Sequence, residues 1–202
     1  QVSLGASRVS SSPKRKRSTK SGLAINGRPK QIKSALVSVF NKDGLDEIIK
    51  LLNERGVKLI STGGTADFIK SLGCPVTLVE ELTNYPAIFG GRVKTLHPAI
   101  AGGILKIRGN SEHEAEAIKH NIPEIDLVIC DLYPFEETLT SGESDEDIIE
   151  KIDIGGITLI RESAKNFNDV VIVPSKNQYS YLKAILETGI TTTIDQRKYL
   201  AG

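Results

Sequence analysis

The chain has 202 residues, 39% hydrophobic and 25% charged, which suits one soluble domain and excludes a collagen-like, wholly disordered or disulfide-built protein. Its longest apolar runs are strand-sized, so no segment is expected to span a bilayer. The net charge of +1 hides an asymmetry: residues 1–33 hold nine Lys or Arg and no acid, leaving 17 basic against 25 acidic residues for 34–202, a net of −8.

Cys74 and Cys130 stand far apart in apolar surroundings, make neither a CxxC metal site nor a disulfide framework, and fit a reducing compartment. No Trp and few aromatics argue against a nucleic-acid stacking platform.

Residues 1–32 form a basic tail, rich in Ser, Arg and Lys, with no sustained apolar period and so no means of building a core. That composition matches an organelle transit sequence, plastid or other. An inert solvated tail, leaving the protein cytoplasmic, and a nuclear or phosphate-binding role for Lys14-Arg15-Lys16-Arg17 are the other readings. The chain opens on Gln and contains no Met, so a longer product is expected.

From residue 33 the chain alternates strand and helix. Ala35–Phe40 is a short β-branched run, read as a buried parallel strand. Leu45, Ile48, Ile49 and Leu52 fall on one helical face, which Gly56 closes. A strand over 57–61, a helix over 65–72 and a strand over 76–79 follow. After an irregular stretch, Ser111 to Glu114 reads as a capping box opening a helix that ends near Asn121. Residues 126–131 make a fourth core strand, 155–166 a helix and 170–173 a last strand. Ser175-x-x-Gln178 and Thr193-x-x-Gln196 cap two closing helices. The pattern predicts a single α/β, Rossmann-like domain over 33–202, three layers deep, with a mainly parallel sheet covered by helices on both faces and right-handed crossovers. Ligands of such sheets bind beyond the carboxyl ends of the strands.

Four loops fall there. Ser38 and Lys42 leave the first strand. Ser61-Thr62-Gly63-Gly64-Thr65 leaves the second, with two glycines and a helix start that suit a phosphate, although a plain structural turn has the same composition. Phe89 to Pro98 packs Gly90, Gly91, Arg92, Lys94, Thr95 and His97 into ten residues. It is polar enough to be a solvated loop, yet its stiff punctuation implies a fixed shape. The last cluster joins Asp131 and Tyr133 to Asp153, Gly155, Arg161 and Lys165. Taken singly, Asp153 reads as an N-cap, Arg161 and Lys165 as surface charge, and Tyr133 as a packed loop aromatic.

Together the segments SVFNKDGL, STGGT, GGRVKTLHP, DLYPFEET and DIGGITLIRESAKN, in this order and spacing, resemble the IMP cyclohydrolase domain of bifunctional AICAR transformylase/IMP cyclohydrolase proteins. The resemblance covers about residues 33–202; STGGT alone is shared with the wider methylglyoxal synthase-like superfamily. It implies closure of FAICAR to IMP with loss of water, without metal or redox cofactor, in a homodimer whose formyltransferase domain would follow Gly202. It also implies that Ser38, Lys42, Thr62, Gly63, Gly64 and Thr65 hold the nucleotide phosphate, and that Arg92, Lys94 and Thr95 lie along ribose and base. Asp131 and Gly155 are further ligand contacts by the same resemblance. Lys94 is then placed to stabilise charge on the formyl oxygen, Asp153 and Lys165 form a proton-transfer pair, and Tyr133 orients the closing ring.

Asp131 stands where many members carry Asn, which puts its contact in question, and Glu162 and Ser163 replace small apolar residues. Two rival functions keep the STGGT loop: methylglyoxal synthase, which has no evident use for GGRVKTLHP or DIGG…AKN, and a non-catalytic nucleotide-binding regulatory domain, which has no need of Lys94, Asp153 and Lys165. Neither a nucleic acid nor a membrane is expected as a partner.

Overall fold

The computed structural model describes residues 27–132, 142 and 144–202. A five-stranded, all-parallel sheet forms its centre. The strands are β2 (Ser34–Ser38), β3 (Lys58–Ser61), β4 (Thr77–Leu78), β5 (Leu127–Cys130) and β6 (Val171–Val173), in the spatial order β4-β3-β2-β5-β6. Alternate residues of each strand feed two separate cores. Ala35, Val37, Leu59, Leu127, Ile129, Val171 and Val173 face one, while Leu36, Ile60, Val128, Cys130 and Ile172 face the other. A strand buried on both sides reads as a continuous apolar run, which is why these segments lack polar alternation.

The first core is closed by α1 (Leu45–Glu54), α2 (Gly63–Ser71) and α8 (Tyr179–Thr188). In α1 the stripe Leu45, Ile48, Ile49 and Leu52 is wholly buried, each side chain contributing about 1.5–3 kcal/mol relative to exposure. Gly56, at φ +72°, takes the left-handed turn that ends the helix. The second core is closed by α3 (Val79–Thr83), α4 (Pro98–Leu105) and α7 (Gly155–Lys165). The expected three-layer α/β domain is therefore the fold. Helices α5 (Ser111–Lys119) and α6 (Asp145–Glu150) lie toward solvent, and α9 (Ile194–Ala201) packs beside β6.

Several local readings change. Helix α5 is capped by Asn110, whose side chain accepts the N–H groups of Glu112 and His113; Ser111 is already in the helix, and Glu114 turns back to Lys106 and Gly109. Ser175 caps a short 3-10 turn (Lys176–Gln178) that runs into α8. At Thr193 both halves of the capping box form. Helices α3 and α4 occupy the stretch that looked irregular, Val79 opening α3 where a strand was expected to end, and α6 falls between residues 131 and 155, where no element was expected. Lys30–Gln31, assigned by composition to the tail, forms β1 and pairs antiparallel with β7 (Thr191–Thr192).

Chain order fixes where a ligand can enter. From β2 the chain steps outward through β3 to β4, then returns across β2 to begin β5 on its other side. The loops leaving β2 and β5 therefore diverge in opposite directions and open a crevice between Ser38 and Cys130, which are paired in register.

Candidate active site

A cleft of about 680 Å³ occupies that crevice. Its floor is the carboxyl end of β2 and β5, one wall is the start of α2, and the opposite wall is α6 with the start of α7.

The α2 wall is built as an anion seat. Thr62 is the N-cap in extended conformation, and Gly63 follows at φ +53°, a geometry that a side chain would resist. The first N–H groups of α2 therefore point outward without intrahelical partners. Thr62 is only 3% exposed, and its Oγ1 is buried without a hydrogen-bond partner. Lys94 reaches over this helix end: a Cβ built on Gly63 would lie 3.2 Å from its Nζ. On the other flank, Lys42 Nζ donates to the carbonyls of Val39 and Phe40 at 3.3 and 3.1 Å, which folds the ammonium back into the cleft. Lys94 thus stands over the helix N-terminus, and Lys42 lines the same cleft, a combination that suits an anionic group.

Thr65 has a different part. Its hydroxyl accepts from Val39 N–H at 3.2 Å and donates to Val39 carbonyl at 2.9 Å, tying the loop after β2 to α2. Asp131 ties the same loop to β5, accepting from Phe40 N–H at 2.5 Å and Asn41 N–H at 2.9 Å.

Gly90 and Gly91, at φ +64° and +85°, follow Phe89 at +54°, so three successive left-handed residues shape the segment that presents Arg92, Lys94 and Thr95. The fixed shape expected of this loop has that backbone origin. Arg92 pairs with Glu150 of α6 across the mouth of the cleft. Thr95 is buried against α7, where a Cβ on Gly155 would meet its Oγ1 at 2.8 Å. His97 caps α4, Nδ1 accepting from Ala99 N–H at 3.1 Å, and lies outside the cleft.

Asp153 does serve as a helix-start acceptor: its Oδ1 takes the Gly156 N–H at 2.6 Å. It also lines the cleft, and a Cβ on Gly156 would come within 2.5 Å of its Oδ2, so Gly156 leaves the room the carboxylate occupies. Beneath it lies the Cys130 thiol, pushed up to about 12 by burial and then by the charges of Asp153 and Asp131. This cysteine is a neutral part of the floor at physiological pH.

The structure thus gathers Ser38, Lys42, Thr62, Gly64, Thr65, Arg92, Lys94, Thr95, Asp131, Asp153 and Gly155 around one cleft, with Gly63 on its α2 wall. Lys165 is not among them. It is exposed in the last turn of α7, ten residues beyond Gly155 and hence about 15 Å along the helix, so one chain does not bring it to Asp153. Tyr133 lies outside the described residues. Sequence reasoning missed the α6 wall, with Ile149, Glu150 and Ile152. The signal was Ser144, whose hydroxyl accepts the Asp147 N–H as an N-cap. Among the described residues, no group of three or more His, Cys, Asp or Glu is placed to hold a metal ion, and no helix is long and apolar enough to cross a membrane.

Comparison with known proteins agrees with this architecture. The model of the MGS-like domain matches residues 44–158. The bifunctional purine biosynthesis protein PurH of Bacteroides thetaiotaomicron is 59% identical over 173 residues, which is 85% of this chain and 34% of that protein. PurH of Clostridium acetobutylicum is 47% identical over 171 residues, again 85% of this chain and 34% of the relative. The chain spans about a third of the length of these curated relatives. Among solved structures, the crystal structure of ForH aligns with a TM-score of 0.72 at 30% identity, covering 83% of this chain and 88% of that one. A family model that matches more than half the chain, on the fold and cleft described above, makes this protein a member of the MGS-like domain family, related in sequence to the PurH bifunctional purine biosynthesis proteins.

Proposed function

We propose that this domain is an IMP cyclohydrolase, closing FAICAR to IMP with loss of water. The carrying observation is the pairing, in one cleft, of the anion seat at α2 with Lys94, Thr95 and Asp153 beside it. The relatives named as purine biosynthesis proteins supply the substrate class. In this reading the nucleotide phosphate occupies the α2 N-terminus between Lys42 and Lys94, and Thr62 Oγ1 acquires the partner it lacks. The base then extends toward Asp153 and the start of α7.

Ring closure needs the carboxamide nitrogen to bond to the formyl carbon. That nitrogen gives up one proton, and the formyl oxygen gains one to become the hydroxyl of a carbinolamine. The C–O bond then breaks and water leaves, taking the formamido N–H proton with it. The reactants are already one molecule, so holding the reactive rotamer supplies several kcal/mol, and each well-placed acid or base adds about 10²–10⁴-fold. Lys94 is assigned to the developing charge on the formyl oxygen and Asp153 to the nitrogen proton. The resemblance-derived homodimer is part of the proposal.

The test uses the whole chain with FAICAR, following ultraviolet absorbance as IMP forms, without folate. Closure well above the spontaneous rate, slowed about 10²–10⁴-fold in Asp153→Asn, is the expected result. Tight IMP binding without acceleration would make the domain a regulatory nucleotide sensor. Lys165→Ala closing the ring at the unaltered rate removes Lys165 from the reaction; a loss of rate with IMP binding intact would mean that a second copy delivers it. A reporter fused to residues 1–32 tests the organelle address, cytoplasmic retention arguing against it.

A further inference from the structure

The loop from Val39 to Lys42 carries the Lys42 ammonium, and its local bonds, from Lys42 to the Val39 and Phe40 carbonyls and from Asp43 N–H to Asn41 Oδ1, do not tie it to the rest of the fold. It is held from both sides of the crevice. Thr65, at the start of α2, binds both the N–H and the carbonyl of Val39. Asp131, at the end of β5, binds the next two N–H groups, of Phe40 and Asn41, at 2.5 and 2.9 Å, one to each carboxylate oxygen. Two successive outward N–H groups form an anion-binding concavity. Here the protein fills it with its own carboxylate.

Behind this contact lies Tyr179. Its ring packs 3.8 Å from where a Cβ on Gly44 would stand, and its hydroxyl is buried without a hydrogen-bond partner. Gly44, at φ +73°, is where the loop turns into α1. The Tyr179 hydroxyl is pushed up to about 12 by burial, then by the charges of Asp131 and Cys130, and so stays neutral beside the carboxylate.

We infer that Asp131 is a positioning residue: its carboxylate clamps the Phe40–Asn41 backbone across the switch point, directing a phosphate to the α2 N-terminus and setting the height of Lys42 above it. This rests on the IMP cyclohydrolase reading for the ligand but not for the clamp. A carboxylate offers an acceptor oxygen to each of the two N–H groups, whereas an amide offers one oxygen and turns its NH₂ toward the other donor. Asn at this position leaves one backbone donor open to the ligand; Asp closes both.

Amide exchange on the ligand-free chain reads the clamp directly. Asp131→Asn and Asp131→Ala are expected to speed exchange at Phe40 and Asn41 by about 10-fold or more, with Ala above Asn. Titration with IMP and with inorganic phosphate reads the consequence. Dissociation constants for both rise by about 10-fold in Asp131→Ala, and in ring closure KM rises with kcat within about 3-fold. Unchanged exchange with weakened IMP binding would make Asp131 a direct ligand contact and overturn the proposal. Faster exchange with unchanged affinities would overturn it as well, leaving only a structural tie. If Asp131→Ala does not fold, Asp131→Asn carries both measurements, since it keeps one acceptor. If the unmutated chain binds phosphate but not IMP, the nucleotide reading fails while the exchange and phosphate results still decide the clamp.

Discussion

At the amino ends of the parallel strands, most charged groups are paired within the protein, although Arg108 Nε and Asn168 Oδ1 lie buried there without a hydrogen-bond partner. Arg197 is fully buried, and its three nitrogens donate to the carbonyls of Arg28, Phe167, Asn168 and Thr192 and to the Thr192 hydroxyl. Asp126 accepts the N–H groups of Lys33 and Ser34 while facing Arg108 at 3.2 Å, and Lys106 sits between Glu114 and Glu124. At the carboxyl ends the balance is left open. Thr62 Oγ1 has no partner, the α2 N–H groups face outward, and Lys94 leans over them. Both edges carry charge on the same sheet; in the proposed reading, the cleft edge keeps groups for a ligand and the other edge uses its groups to hold the fold.

Mutating each edge tests that separation, and the largest effect belongs to the closed one. Arg197→Leu leaves four backbone carbonyls without their donor and is expected to lose about 3–5 kcal/mol of unfolding free energy, read by urea titration. Lys94→Ala, at the open edge, is expected to stay within about 0.5 kcal/mol of the parent in the same titration. Equal destabilisation by the two would erase the contrast. Asp153→Asn is expected to slow ring closure by about 10²–10⁴-fold and to shift stability by no more than about 1 kcal/mol, because only a helix-start acceptor is weakened.

Gly63→Ala comes next. Strain at φ +53° and the approach to Lys94 are expected to cost about 1 kcal/mol and to weaken phosphate binding, measured by titration calorimetry.

pH sharpens the comparison with the smallest effects. The Cys130 and Tyr179 protons are held up to about 12 from ordinary values of 9.0 and 10.0, burial being the first cause for each. Raised values mean that the folded state keeps protons the unfolded chain releases. The stability these groups support is complete below pH 9.0 and lost as pH rises toward about 12. Cys130→Ala should flatten that alkaline loss in unfolding curves. Glu114 at the other edge is lowered, first by the hydrogen bond from Lys106 and then by that from Gly109, so its contribution is present above 4.5 and fades as acid protonates it. Lys106→Met should reduce this acid sensitivity, leaving the part due to Gly109, and the effect is small because Glu114 is substantially exposed.

Much of the fold was legible because it depends on periodicity. The α1 stripe, the strand runs and the Thr193 box each follow from chain-local spacing, and all three formed. Helix α4 was missed because Pro98-Ala-Ile-Ala-Gly-Gly-Ile-Leu105 has little amphipathic contrast: it packs Gly103 within reach of the Pro123 carbonyl, where a Cβ would come to 2.6 Å. Its helical state comes from that packing and from the His97 cap.

For the site, the sequence by itself determined the chemistry on offer: a Gly-Gly helix start, cations at Lys42, Arg92 and Lys94, and a carboxylate at Asp153. Residue type and local turn geometry suffice for that. Which of these groups meet was decided only by the tertiary structure, because the meeting depends on strand order. The return of the chain across β2 sets Asp131 against a loop 90 residues earlier, pairs Arg92 with Glu150 and raises α6 as a wall, while eleven residues of α7 carry Lys165 away from the cleft that Gly155 lines. Long-range proximity of this kind leaves no spacing in the sequence to read, since it comes from how β-strands pair and not from how neighbouring residues turn.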